Sequence, residues 1–296
     1  MNQSLVISCP ICKGTHFQHF LDCADFTASH ELFSLKQCTS CQFVFTEPKP
    51  DKDTISKYYL SENYISHTGA NKSFFDKIYL RVRDLTLKWK RRIIGRNSTG
   101  KTLLDIGCGT GEFIKEMNAH GWDITGVEPS ALARTAAEKN AGIKIKESYS
   151  ELENNTYDVI SLWHVLEHLH DLHEALKKFQ SLLKKSGTIF IAVPNFQSFD
   201  AQHYNSYWAG YDVPRHLWHF GKENMKMLLE NNGFKLVKIL PMQLDSFYVS
   251  LLSESYKNPN RWKLINLINA VTTGLKSNLM ARNSLNHSSL IYIAKR

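Results

Sequence analysis

Residues 103–113 read LLDIGCGTGEF, an apolar run that takes up an acid and then breaks into alternate glycines. Glycine at a strand-to-helix turn lets the backbone approach a ligand where any Cβ would collide. A dinucleotide fingerprint, G-x-G-x-x-G, would put its third glycine at position 112, which is Glu112. The spacing here is G-x-G-x-G, carried by Gly107, Gly109 and Gly111. An acid at the helix N-terminus repels a pyrophosphate, so the turn predicts a ligand without phosphates. Glu128 ends the next apolar run, WDITGVE, where a carboxylate can accept both hydroxyls of a bound ribose.

Outward from this turn, β-branched runs alternate with helical segments, the signature of an α/β domain with a mostly parallel sheet. TLLDIGC, WDITGVE, IKIKE, YDVISLW and GTIFIAVPN read as strands, and KLVKIL and SSLIYIAK close the series. Helices are expected over EFIKEMNAHG, after a Ser130 N-cap, over LHEALKKFQSLLKK as far as Gly187, and over KENMKMLLENNGF. Residues 241–288 form an insertion before the last strand. There Leu264, Ile268, Val271, Leu275 and Leu279 make one stripe, with Trp262, Lys263 and Arg282 near its ends. Such a helix can pack in a core or a dimer, lie on a membrane surface, or roof a lipid-like substrate.

The first 53 residues carry different chemistry. CPIC (Cys9, Cys12) and CTSC (Cys38, Cys41) can bring four thiolates to one tetrahedral point, which suits a structural Zn²⁺ with no ligand position left for substrate. The loop between the two knuckles is longer than in the common ribbon. Redox CxxC pairs would open a helix, whereas FSLKQCTSCQFVF reads strand, knuckle, strand. Cys23 and Cys108 are left as free thiols. Residues 54–100 begin as a linker with two prolines just before it and continue as a helix striped by Phe75, Ile78, Val82, Leu85, Trp89 and Ile93, its basic side expected to be solvated.

The 296 residues, 43% of them apolar, suffice for a large core. The net charge of +8 is concentrated in residues 74–101 and 241–296, and neither stretch carries a nucleic-acid-reading signature. No run reaches the ~18 apolar residues of a membrane span and no basic, apolar leader opens the sequence, so the expectation is a cytoplasmic protein with at most peripheral membrane contact. Oligomeric state is not legible.

Taken together, these motifs resemble the class I S-adenosylmethionine-dependent methyltransferases over residues 60–296, with 101–296 as the methyltransferase domain. LLDIGCGTGEF is similar to their first motif, GVEPS to the acidic second, YDVISLWHVLEHL to the fourth and GTIFIAVPN to the fifth strand. The resemblance implies a Rossmann-like seven-stranded sheet with an antiparallel last strand. It implies that Asp105 supports the cofactor's amino acid end through the turn formed by Gly107, Cys108, Gly109 and Gly111. Glu128 would bind the ribose, Ser148 and Tyr149 would flank the adenine, and His164 would stand near the sulfonium. With the ribbon in front, the chain resembles a bacterial group whose cousins are quinone-pathway O-methyltransferases and deoxysugar methyltransferases.

The acceptor expected is a small molecule, a sugar or a lipid-linked compound methylated at oxygen or carbon. For a hydroxyl acceptor the candidate bases are His164, His216 and His219, the last two in the aromatic segment YNSYWAGYDVPRHLWHF, which either walls a substrate pocket or only packs. Arg215 there can hold an anionic group. Two rival readings stand beside this one. His164, Glu167 and His168 satisfy the H-x-x-E-H metalloprotease pattern, although they follow a strand directly. The whole chain can also be a silent binding module that recognises a partner through its ribbon and aromatic face.

Overall fold

The structure, a computed structural model, describes residues 3–4, 7–59 and 74–296. The side chains of Phe75, Lys77 and Ile78 in the helical stripe lie outside the described residues, as do residues 60–73.

Three antiparallel strands, β1 (Phe17–Ala24), β2 (Leu32–Cys38) and β3 (Val44–Glu47), form the N-terminal ribbon. Helix α1 (Phe74–Asn97) leads into the main sheet. Its strands are β4 (Thr102–Ile106), β5 (Asp123–Val127), β6 (Ile145–Lys146), β7 (Tyr157–Trp163) and β8 (Leu183–Pro194). A short β9 (Trp218–His219) belongs to the ribbon, and β10 (Lys235–Pro241) and β11 (Ser289–Lys295) complete the main sheet. The sheet order is β10-β11-β8-β7-β4-β5-β6, with β11 antiparallel to both neighbours. This is the seven-stranded arrangement expected from the sequence, and it places the C-terminal ends of β4 and β5 side by side.

Helices α2 (Glu112–Asn118), α3 (Ala131–Ala141) and α4 (Leu172–Leu182) follow the central strands. Ser130 caps α3 through its side chain, as expected, and Asp171 caps α4 in the same way. Helix α4 ends at Leu182 rather than near Gly187. Leu183 turns extended and pairs with Tyr157, so that Lys184 to Gly187 become a bulged start of β8. Beyond β8 lie α5 (Phe199–Tyr204), α6 (Lys222–Asn231), α7 (Asp245–Lys257) and α8 (Lys263–Ser284).

Among the described residues of α1, the stripe packs in the last turns. Val82 and Leu85 are exposed, whereas Leu87, Trp89, Ile93 and Ile94 join Phe113, Met117 and Trp163. Its basic side is not merely solvated either. Arg91 donates to Glu116 at 2.7 Å, and the Lys90 ammonium stands 4.2 Å over the Trp163 ring.

The ribbon shares its sheet and its core with the rest of the chain. β9 pairs with β3, Trp218 opposite Phe45 and His219 opposite Val44. Ile11, Phe43 and Phe45 are buried in one continuous cluster with Leu166, Leu217, Phe220 and Met225. Trp218 stacks near Phe43 and donates its indole N–H to the Leu169 carbonyl. Removing Phe45 side-chain volume therefore opens a cavity common to both parts. Phe45→Ala is expected to cost about 3–5 kcal/mol and to lower one shared calorimetric transition. A ribbon that melts alone, with the main transition unmoved, would contradict this packing.

Candidate active site

The turn after β4 is set by backbone geometry. Gly107, Gly109 and Gly111 all lie at positive φ, and the N–H groups of Gly107 and Cys108 both donate to the Val127 carbonyl at 2.7 and 3.0 Å. A Cβ on Gly111 would stand 2.9 Å from the Ala137 Cα, so this glycine lets α3 close on the turn. A Cβ on Gly109 would meet nothing within 4 Å. That side of the left-handed turn is open. Glu112 accepts from Thr110 at 2.6 Å and pairs with Arg83, which keeps a carboxylate at the start of α2.

Glu128 is buried and ties the two motifs together. Its carboxylate accepts the Gly109 N–H at 2.9 Å and the Ser130 N–H at 3.0 Å. Burial raises its pKa, opposed by those two donors. Asp105 lies beneath the turn, accepts from Ser161 at 2.6 Å and is pushed up to about 7 by burial, with Ser161 and Lys90 opposing. The Cys108 thiol, half-buried, is likewise pushed up by burial. Tyr149 is half-buried against Phe179, ring centroids 4.9 Å apart, and lines a cleft of about 190 Å³ with His168, Leu169, Asp171 and Glu174. Ser148 is exposed, its hydroxyl 2.9 Å from that of Ser150.

His164 stands at the C-terminal end of β7 at φ 57°, a left-handed conformation that costs a non-glycine residue about 1–2 kcal/mol. Its Nε2 is 3.0 Å from Asp245 and its Nδ1 3.4 Å from Glu167. Burial alone would depress its pKa, but the two carboxylates prevail and raise it to about 9. At neutral pH His164 is thus an imidazolium between two carboxylates, and the triad carries a net negative charge.

His164, Glu167 and His168 do not converge as a metalloprotease helix would place them. They span a bend and a single 3₁₀ turn (Leu166–His168), and His168 turns its Nδ1 to the Arg215 carbonyl and the Tyr59 hydroxyl, each at 3.0 Å. What the fold does bring together is Glu167, His168 and His216, whose polar atoms lie within 4.8 Å of one another. Sequence spacing hides this group, because His216 comes from the aromatic segment. Burial, with His216 beside it, lowers His168 to about 4.

The His216 Nδ1 donates to the Gly210 carbonyl at 2.9 Å. Its Nε2 faces Asp212 at 3.8 Å and Glu167 at 4.0 Å. His219 lies elsewhere. Thr46 donates to the His216 carbonyl and takes a hydrogen bond from His219 Nε2 at 3.0 Å, inside the seam between ribbon and domain. Burial holds His219 well below the ordinary histidine range. Arg215 is spent on Asp212, in a two-point pair, and on the Tyr58 carbonyl, which leaves no free fork for an anion. Tyr204, Trp208, Tyr211 and Trp218 are buried, so most of the aromatic segment packs against the ribbon.

A glycine turn and acidic strand end on this seven-stranded sheet define a class I S-adenosylmethionine-dependent methyltransferase. The residues present fit that cofactor: the open cradle at Gly109 for its amino acid end, and the carboxylate of Glu128 for its ribose. The sequence profile of the methyltransferase domain family matches residues 79–239, and the chain belongs to that family. The chain is similar to a ubiquinone biosynthesis O-methyltransferase of Photobacterium profundum, 30% identical over 32% of this chain and 45% of the relative. The ubiquinone biosynthesis O-methyltransferase of Vibrio campbellii is 34% identical over 32% and 45%. The chain thus spans about half the length of the curated relatives it matches. A solved methyltransferase from Archaeoglobus fulgidus, 24% identical, shares the fold with a TM-score of 0.51 over 76% of this chain and 100% of that one.

The charge state of His164 gives a pH signature. Its folded pKa, about 9, exceeds the ordinary 6.5, so its stabilising contribution is complete below pH 6.5 and is lost as the pH rises through 9. Thermal denaturation from pH 6 to 10 should show a fall in Tm across this window that His164→Gln flattens. An unchanged profile in the variant would mean that the imidazolium is not the group responsible.

Proposed function

We propose that this methyltransferase acts on oxygen or carbon of a small-molecule, sugar or lipid-linked acceptor, with His216 as the group that takes the acceptor's proton. The cofactor, when bound, supplies an activated methyl group on a sulfonium. The chain's part is to align and desolvate the acceptor and to receive a proton. Gly107 and Gly109 present backbone to the cofactor, Asp105 steadies the turn from below, and Glu128 offers its carboxylate to the ribose. Ser148 and Tyr149 stand at the adenine end of this reading. The net negative Asp245–His164–Glu167 triad suits a cationic neighbour, which makes His164 a positioning residue rather than the base.

One observation supports the base assignment: the His216 Nε2 faces two carboxylates, Glu167 at 4.0 Å and Asp212 at 3.8 Å, able to stabilise the imidazolium it would form. His164 is already protonated at neutral pH, and His219 is committed to Thr46. The distant quinone-pathway relatives are named as O-methyltransferases, which agrees with a hydroxyl acceptor.

The four N-terminal cysteines support a structural zinc. Their sulfurs cluster within 4.8 Å, with Cys9–Cys41 and Cys12–Cys38 at 3.5 Å, near the ~3.8 Å edge of a tetrahedron with 2.3 Å Zn–S bonds. Backbone N–H groups of Ser40 and Cys41 point at the Cys38 sulfur and, against the effect of burial, bring it down to about 7. Cys9 and Cys41 are raised by burial, so a dication is what would let all four ionise together.

Methyl-labelled methionine fed to cells with and without the gene would reveal the acceptor. With that acceptor in hand, His216→Gln should lower kcat by roughly 10²–10⁴ while S-adenosylmethionine affinity by calorimetry holds. Glu128→Ala should instead weaken that affinity, by about 1.5–3 kcal/mol for each hydrogen bond to the charged group that is lost. Full turnover in His216→Gln would transfer the role of the residue to simple packing. Metal analysis should give about one zinc per chain, lost in Cys38→Ser together with several degrees of Tm. A metal-free chain of unchanged Tm would remove zinc from the account.

A further inference from the structure

Helix α8 carries its sides in an unusual order. Toward the protein it turns Asn266, Ala270, Thr273, Gly274, Ser277 and Ala281. This small, polar side is anchored: Ser277 donates to the buried Asp200 at 2.6 Å, Ser246 of α7 donates to the Gly274 carbonyl, and a Cβ on Gly274 would stand 2.8 Å from the Phe247 ring. The register is therefore fixed from inside. The predicted stripe consequently points out, with Leu264 61%, Ile268 53% and Leu275 51% exposed, and Trp262 at the head of the helix is 77% exposed. The stripe is therefore not part of a core formed by the described residues.

The charges beside it select what covers it. Lys257, Arg261, Lys263, Lys276 and Arg282 are exposed, and no Asp or Glu follows Glu254. A second copy laid on the same face would bring cation against cation with no acid to meet it. A bilayer with anionic headgroups supplies both an apolar layer for the leucines and counter-charge for Lys257, Lys263, Lys276 and Arg282, Arg261 being paired with Glu254 at 3.6 Å. No helix among the described residues is long and apolar enough to cross a membrane, so the contact is one of surface insertion.

We infer that α8 is a peripheral membrane anchor that lies in the plane of an anionic lipid surface. Helix α7, packed on α8, also exposes Leu244 just before it and Leu251 within it, and its first residue, Asp245, holds His164. The lipid contact stands on the helix alone and does not depend on the acceptor proposed above.

Co-sedimentation of the full chain with phosphatidylcholine vesicles, with and without phosphatidylglycerol, tests this. Binding is expected to the anionic vesicles and to fall with added salt. Ile268→Gln combined with Leu275→Gln should abolish it with Tm retained, because both side chains are half in solvent. Lys263→Glu with Arg282→Glu should weaken it about tenfold or more. Equal binding to both vesicle types, or none to either, overturns the inference. So does a dimer in analytical ultracentrifugation that Ile268→Gln and Leu275→Gln dissolve without any vesicle binding, an outcome that would give the face to a second copy.

Discussion

Two N–H groups on one carbonyl hold this site open. Gly107 and Cys108 both donate to Val127, which folds the chain back over the ends of β4 and β5. Only a backbone in the left-handed region can make that turn, and only the absence of side chains leaves room above it. Glu128 then locks the arrangement by accepting from Gly109 and Ser130 at once. The cradle, the ribose-side carboxylate and the start of α3 are therefore a single mechanical unit.

Beneath and beside that unit, groups of opposite sign stand next to one another: Asp105 with Lys90, His164 with Asp245 and Glu167, and Arg215 with Asp212. Each buried charge has an opposite neighbour, the condition under which charge is tolerated away from water. Such pairing also explains the opposed shifts of chemically identical groups. His164 between two carboxylates rises to about 9, while His168, buried beside another histidine, falls to about 4. The protein thereby keeps one imidazolium and one neutral imidazole within four residues of each other.

The ribbon is part of this machinery through packing rather than chemistry. β9 pairs with β3 immediately after His216, so the position of that histidine depends on the seam with Val44 and Phe45. Thr46 reinforces the link by donating to the His216 carbonyl. A four-cysteine cluster at the far end of the same strands can stiffen them.

Local signals carried the strand-and-helix pattern and the glycine turn. The succession of strands and helices, the left-handed glycines, the place of Glu128 and the Ser130 cap all follow from nearest-neighbour chemistry, which a linear pattern records, whereas the sheet they form was implied by the family resemblance. The pairing of CPIC with CTSC was legible for the same reason: identical short motifs carry their own geometry. What lay beyond the sequence was every relation between distant segments. His216 meets Glu167 and His219 meets Thr46 because β9 chose the ribbon as its sheet. The apolar stripe of α8 was visible, but its direction was not. A periodic pattern states that a helix has two unlike sides. Only the buried bond from Ser277 to Asp200 and the tight approach at Gly274 decide which of them faces the protein.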